Sequence, residues 1–327
     1  MNSFFTGIII LILSGFAVSF VNRNFKILVL SLLNTIAACF CLIPAMKVLV
    51  SGKNLISSFD FNSLFGVVNF RIDYLAAFFI VIISVMSVIS VIYSRGYLKS
   101  YADKNIDAHL VFFPMLVASM LAVVTCQNAI VFLICWEIMS LSSFFLVIFE
   151  NEKKEVLKAG ISYLVFMHFS VIFIMLAFAL LSVYSKSFDF SSFSSVLEGH
   201  KYLANVVFLL AFIGFGTKAG FVPFHNWLPK AHPAAPSHVS GIMSGVMIKT
   251  GLYGILRVIS IVGTPSKSVS FIVFIVSLIT ALYGILYAIT QNDIKKLLAY
   301  SSIENIGIIG TGLGIGMLGL SYHQSLV

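Results

Sequence analysis

The chain has 327 residues, of which 60% are hydrophobic and 10% charged, and its formal net charge is +8. Soluble domains carry about a quarter charged residues, so this composition excludes a soluble globular protein and points to an all-α polytopic membrane protein. The positive balance then reads as the Lys/Arg excess of loops held on the cytoplasmic side, which makes membrane lipid, not nucleic acid, the expected surrounding.

In chain order, the leading stretch MNSFFTGIIILILSGFAVSFVNR lacks a basic start and a small-residue cleavage site, and is expected to remain as a first span. Runs of about 20 apolar residues are long enough to cross a bilayer. They predict ten transmembrane helices near 4–21, 27–50, 74–93, 110–126, 129–149, 157–184, 203–228, 237–262, 268–290 and 297–318. Residues 55–73 alternate like a short extramembrane hairpin, and the Ser-rich stretch 185–202 reads as a surface loop. Lys and Arg in the connections number eleven on one side and seven on the other, a bias that places the N-terminus outside the cytoplasm in a cytoplasmic (inner) membrane. Cys39, Cys41, Cys126 and Cys135 all fall in apolar segments and read as inert thiols.

The stretch from Asn205 to Arg257 stands out. Pro and Gly residues interrupt its two apolar segments, and Lys218 and Lys249 lie inside them. A central lysine costs about 2.5–3.5 kcal/mol to insert, so two of them predict a protein-lined, partly wet interior. The prolines predict a broken seventh helix, tolerated at membrane depth only where its freed backbone groups face protein or water. Glu137, in the fifth span with Ser140 one turn away on the same face, is the natural partner of Lys218. One reading is a structural ion pair clamping two helices. The other is a tunable proton site, because a nearby carboxylate favours the ammonium while burial favours the neutral amine.

One carboxylate cannot neutralise two ammoniums, which favours the second reading. Gly241 and Gly245 form a GxxxG face that invites a close neighbour, with Lys249 four residues further on. His238 precedes Lys249 by eleven residues, a spacing that in an unbroken α-helix puts both on one stripe about 16 Å apart along the axis. His225, in the VPFHNWLP break, can relay protons near neutral pH or serve as a structural hydrogen-bonding group. His232 and His238 flank Pro233 and Pro236 as turn or cap residues, and His168 is a weaker candidate that could bond Ser170 or another helix. Glu304, in the last span, is a second intramembrane carboxylate. The histidine spacing around three prolines fits no helix face, so no metal site is expected. The absence of a Gly-rich phosphate loop and of CxxC likewise predicts no nucleotide, iron–sulfur or haem cofactor.

At CWEIMSLSSFFL, at GFGTKAGFVPFHNWLPKAHPAAPSHVSGIMSGVMIKTGLYGILR and at DIKKLLAYSSIENIGIIG, the sequence resembles the antiporter-like, proton-translocating membrane subunits of respiratory complex I and the group 4 membrane-bound hydrogenases. Within that family its wording at residues 231–257 is most similar to the hydrogenase-4 component B type. The resemblance implies a fold of about fourteen helices with two inverted five-helix repeats. It divides this chain into N-terminal helices and hairpin (1–108), a first repeat of spans 4–8 (109–262) and the truncated start of a second (263–327). It also implies a proton pathway through Glu137, Lys218, His225 and Lys249; the residue reading adds His238 to that pathway, and Glu304 either as its sideways continuation or as the partner of a group outside this chain.

The function so implied is proton translocation within a multisubunit respiratory-type oxidoreductase, with other membrane and peripheral subunits as partners and no redox chemistry on this chain. A subunit of a multisubunit Na⁺/H⁺ antiporter without a redox partner would use nearly the same residues. A membrane scaffold whose buried charges are only structural is the third reading.

Overall fold

The computed structural model describes residues 1–60, 66–101, 105–197, 200–263 and 265–322. The turn of the expected hairpin (61–65) and two residues of the expected surface loop (198–199) lie outside this set. Helix α1 spans Asn2–Ser19, α2 Arg23–Ser51, α3 Tyr74–Tyr97, α4 Asp107–Thr125, α5 Ala129–Val147 and α6 Lys154–Ser185. Then follow α7 Phe190–Leu197, α8 Lys201–Ala219, α9 Leu228–Ala234, α10 Ser237–Ile242, α11 Lys249–Val262, α12 Lys267–Ile289 and α13 Ile294–Ser321. Among the described residues ten helical segments are long and apolar enough to cross a membrane, and they coincide with the ten expected spans.

The helices begin where the sequence supplies caps. The Asp73 carboxylate accepts from Ala76 N, the Asn128 side chain from Ile130 N and Val131 N, and the Asp293 carboxylate from Lys295 N and Lys296 N. Each satisfies donors that the first helical turn leaves without an intrahelical partner. Residues 55–73 form the expected hairpin, with β1 (Leu55–Asp60) antiparallel to β2 (Val67–Ile72) in the register Leu55 opposite Ile72. Phe59 and Phe70 of the hairpin meet Phe5 of α1 edge-on at 5.1 and 5.4 Å. Gln127 N donates to Asn69 O at 2.9 Å, which ties the hairpin to the α4–α5 connection.

The stretch expected as a plain surface loop differs. It contains the eight-residue helix α7, whose Phe190 and Phe193 are buried, with Phe190 packed against Phe178 of α6 at 5.2 Å. Two aromatic residues three apart place one apolar edge on a short helix, enough to seat it.

The chain forms two compact units. Met1–Gly160 with Ala234–Met247 make the first; Ile161–Pro233 with Ile248–Val327 make the second. In the first, α1 packs on α2 and α4, α2 on α3, α4 on α5, and α10 on α3. Its interior is lined with small polar side chains, including Asn34, which donates to Ser87 Oγ at 3.3 Å, and the buried Ser140, Ser142 and Ser143 of α5. In the second, α12 packs along α13, α8 on α11, and α7 on both α8 and α11. Outward faces carry residues such as Leu13, Ile43, Val165 and Leu286. Apolar outside and small-polar inside is the order expected of helices solvated by lipid, where contact depends on close packing and hydrogen bonds.

The close approach in the eighth span is not made by the predicted GxxxG. A Cβ on Gly241 would meet nothing within 4 Å among the described residues, and one on Gly245 would meet the flexible end of Met86 at 2.7 Å. Gly251 and Gly254 of α11 carry the contact instead. A Cβ on Gly251 would lie 2.5 Å from Phe215 O and 2.8 Å from Ala219 N of α8, and one on Gly254 would overlap the Phe215 ring. Backbone cannot move aside as a methionine can. Gly251→Ala is therefore expected to destabilise the solubilised protein by about 1–3 kcal/mol, the usual cost of overpacking. Gly241→Ala, which meets no atom, should be neutral or stabilising by up to about 1 kcal/mol from helix propensity. Thermal unfolding of both variants in detergent checks the contrast.

Candidate functional site: a buried lysine at a helix break

Helix α8 ends at Gly220, whose φ of +93° is a left-handed conformation that favours glycine. The amides of Gly220 and Phe221 both donate to Gly216 O, at 2.9 and 3.0 Å. Phe221 N would have bonded Thr217 O had the helix continued, so the Thr217 carbonyl loses its helical partner. The indole of Trp227 donates to it at 2.9 Å. Val222 N is taken up by Thr280 Oγ1 of α12 at 3.1 Å, and Leu228 N by His225 O at 3.0 Å. The expected break is thus present, and its freed groups face protein, the condition for irregular backbone at membrane depth.

Lys218 lies two residues before the end of α8 and is fully buried. Its Nζ donates to Tyr163 OH of α6 at 3.1 Å and stands 5.5 Å from the centre of the Tyr163 ring. Trp227 packs against that ring, with centroids 5.1 Å apart. The same indole that caps Thr217 O therefore holds the tyrosine that meets the lysine. A hydroxyl oxygen near an ammonium stabilises its charge when water is excluded.

His225 sits in the break, buried, with its ring edge-on to Tyr283 of α12 at 4.5 Å. Among the described residues, neither ring nitrogen is reached by a hydrogen bond of normal geometry. The Tyr283 ring stacks on Tyr287 at 4.2 Å, and Tyr287 on Tyr300 of α13 at 5.5 Å. His232 donates from Nδ1 to Lys295 O at 3.1 Å, and Lys295 Nζ donates to Pro233 O at 3.4 Å, so α9 is fastened to the start of α13. His168 does not bond Ser170: it donates from Nδ1 to Leu164 O of its own helix, and Ser170 donates to Gly214 O at 2.7 Å.

Lys249 is the first residue of α11 and is half-buried in the second unit. The preceding residues Met243–Met247 form a π turn. A π turn inserts a residue into the 3.6-residue count, so the eleven-residue spacing no longer puts His238 and Lys249 on one stripe. Glu304 is half-buried in α13, whose backbone at that residue lies close against Gly284 of α12. In the first unit, Glu137 is half-buried in α5, and no hydrogen bond among the described residues reaches its Oε1. His238 is neither a cap nor a turn residue. Its Nε2 lies 2.7 Å from Nε2 of His109 on α4.

Residues 126–324 match the family described as NADH:quinone oxidoreductase/Mrp antiporter, TM, more than half of the chain. The chain belongs to this family. It is 43% identical over 281 residues to hydrogenase-4 component B of Escherichia coli K12, covering 85% of this chain and 41% of that protein. Its fold is similar to that of a chain in the membrane-bound sulfane sulfur reductase, an archaeal respiratory membrane complex. There the TM-score is 0.86 at 20% identity, covering 99% of this chain and 69% of that one. It is also similar to a chain of the Mrp complex from Dietzia sp. DQ12-45-1b, with a TM-score of 0.82 at 21% identity, covering 96% of this chain and 34% of that one. The chain thus spans well under half the length of the hydrogenase-4 relative.

In this member of the family, Tyr163 and Tyr283 of the second unit, and His109 beside His238 in the first, were not singled out by sequence. Tyr163 is an aromatic hydroxyl in an otherwise apolar sixth span, which was a signal, but an interfacial anchor looks the same in one dimension. Tyr163→Phe removes a hydrogen bond to a buried charge and should cost about 1.5–3 kcal/mol. Trp227→Phe should cost about 1–3 kcal/mol by leaving the Thr217 carbonyl without its donor. Both losses are read from thermal unfolding of the detergent-solubilised protein, with Tyr202→Phe, at a largely exposed position (83%), as the expected silent control.

Proposed function

We propose that this chain is a proton-translocating subunit of a respiratory-type membrane oxidoreductase of the hydrogenase-4 kind, seated in the cytoplasmic membrane with its N-terminus outside. The observation that carries the reading is Lys218: a fully buried lysine at a helix break, hydrogen-bonded to a tyrosine hydroxyl. A buried lysine can exist as ammonium or amine according to what approaches it, which is what a proton-loading site requires.

In this reading Glu137 and Lys218 are both stations of the pathway, each an ionisable group too costly at membrane depth to be incidental. His225 in the break takes the proton next, as an imidazole that can hold or give up a proton near neutral pH. Lys249, His238 and Glu304 extend the pathway, within the repeat assigned to residues 109–262 and the helices after it. The driving change comes from redox chemistry in partner subunits, membrane and peripheral, so this chain moves charge and carries no cofactor. The relative's name, hydrogenase-4 component B, supports hydrogenase-type partners.

Lys218→Met and Lys249→Met keep side-chain length and remove the titratable group. In native membrane vesicles energised with the electron donor, each should lower proton transport at least about tenfold, equivalent to a barrier increase of roughly 1.4 kcal/mol, while leaving the amount of assembled complex unchanged. Unchanged transport in both variants would reduce the lysines to structural charges. Sodium-coupled proton movement that needs no electron donor would instead make the chain an antiporter subunit.

A further inference from the structure

The first unit holds a second titratable centre, built from His109 of α4 and His238 of α10. Both rings are buried, at 4% and 3% exposure, and their Nε2 atoms are 2.7 Å apart. Two imidazole nitrogens at that distance share one proton, because a lone pair must face an N–H. The neutral pair is therefore made of opposite tautomers. One ring has Nε2–H and a free Nδ1 lone pair; the other has Nδ1–H and an Nε2 lone pair.

Nδ1 of His109 is buried and meets no hydrogen-bond partner among the described residues. His109 also lines a cleft of about 440 Å³ whose polar wall is Asn105, Asn151 and Glu152. Aromatic rings close the remaining sides: Phe149 against His109 at 4.9 Å, and Tyr97 and Phe113 against His238 at 5.5 and 5.9 Å. The titratable groups around the pair are few. Tyr97 hydroxyl meets Tyr101 hydroxyl at 3.4 Å, Glu150 accepts from Lys153 at 2.7 Å, Asp107 is paired with Lys26, and Glu152 stands in the cleft. Among the described residues, Glu152 is the carboxylate that lines the cleft itself.

We propose that the His109–His238 pair is a proton-loading port, through which protons pass one at a time from the cleft into the pathway of the preceding subsection, on which this inference rests. A proton entering from the cleft side binds Nδ1 of His109. The Nε2 proton of His109 crosses to Nε2 of His238, and His238 releases its Nδ1 proton onward. One proton is taken up and one is given out, and both rings end neutral with their tautomers exchanged. The pair must then regain its starting tautomers by proton exchange before the next proton, so it passes protons singly and does not act as an open wire.

The test uses native membrane vesicles carrying the intact complex, with His109→Gln, His238→Gln, the double variant, and Lys218→Met alongside. Initial transport rates are measured from about pH 6 to about pH 9, a range that brackets imidazole titration. Each single variant should lose about tenfold at the alkaline end, where free protons are scarce, and little at the acid end. The double variant should be no slower than either single, since the two rings hand on the same proton. His109→Ala opens the ring's space to the cleft, and added imidazole should restore its rate. Unchanged pH profiles in the histidine variants, while Lys218→Met stops transport, would overturn the port and leave the pathway standing. So would losses that multiply in the double variant, or a His109→Ala variant that imidazole does not rescue. Transport that survives Lys218→Met removes the pathway, and the port falls with it.

Discussion

A lysine ammonium with no access to solvent sets the terms for the second unit. There Lys218 meets the Tyr163 hydroxyl, and Trp227 packs against the Tyr163 ring. Trp227 in turn reaches Lys218's neighbourhood only because the chain breaks at Gly220 and folds back. The break frees the Thr217 carbonyl, and the indole that arrives with the returning chain satisfies it. Charge, ring and helix break are one unit of construction: each part meets a cost raised by another.

Close packing around that centre depends on two glycines that a motif search passes over. GxxxG is a pattern of spacing, and spacing says only that two small residues share a face. Whether another backbone comes to that face is a separate matter. In the eighth span it comes to Gly251 and Gly254, where Phe215 and Ala219 of α8 leave no room for a side chain. The interior serines of the first unit serve the same end by a different route, filling space with groups that bond their own helix, as Ser143 Oγ does to Met139 O at 2.7 Å.

Histidine supplies chemistry in each unit taken by itself. In the break, His225 faces an aromatic edge. Next to the cleft, His238 is committed to another imidazole. The same residue type is thus poised as a lone relay in one place and as half of a shared-proton pair in the other. The difference comes wholly from what stands opposite.

Length and apolarity determined the ten spans, because a bilayer demands about 20 apolar residues and little else in water-soluble proteins produces such runs. The hairpin at 55–73 was legible from alternation, and the break from its prolines, since both are local backbone effects. The sequence also marked Lys218, Glu137 and Lys249 as charges too costly to be incidental. Only tertiary structure decided which hydroxyl Lys218 meets, which glycines touch backbone, and that His238 faces His109, 129 residues away. Those pairings are chosen by helix packing, and helix packing depends on faces that a one-dimensional count cannot follow through a π turn or a broken helix.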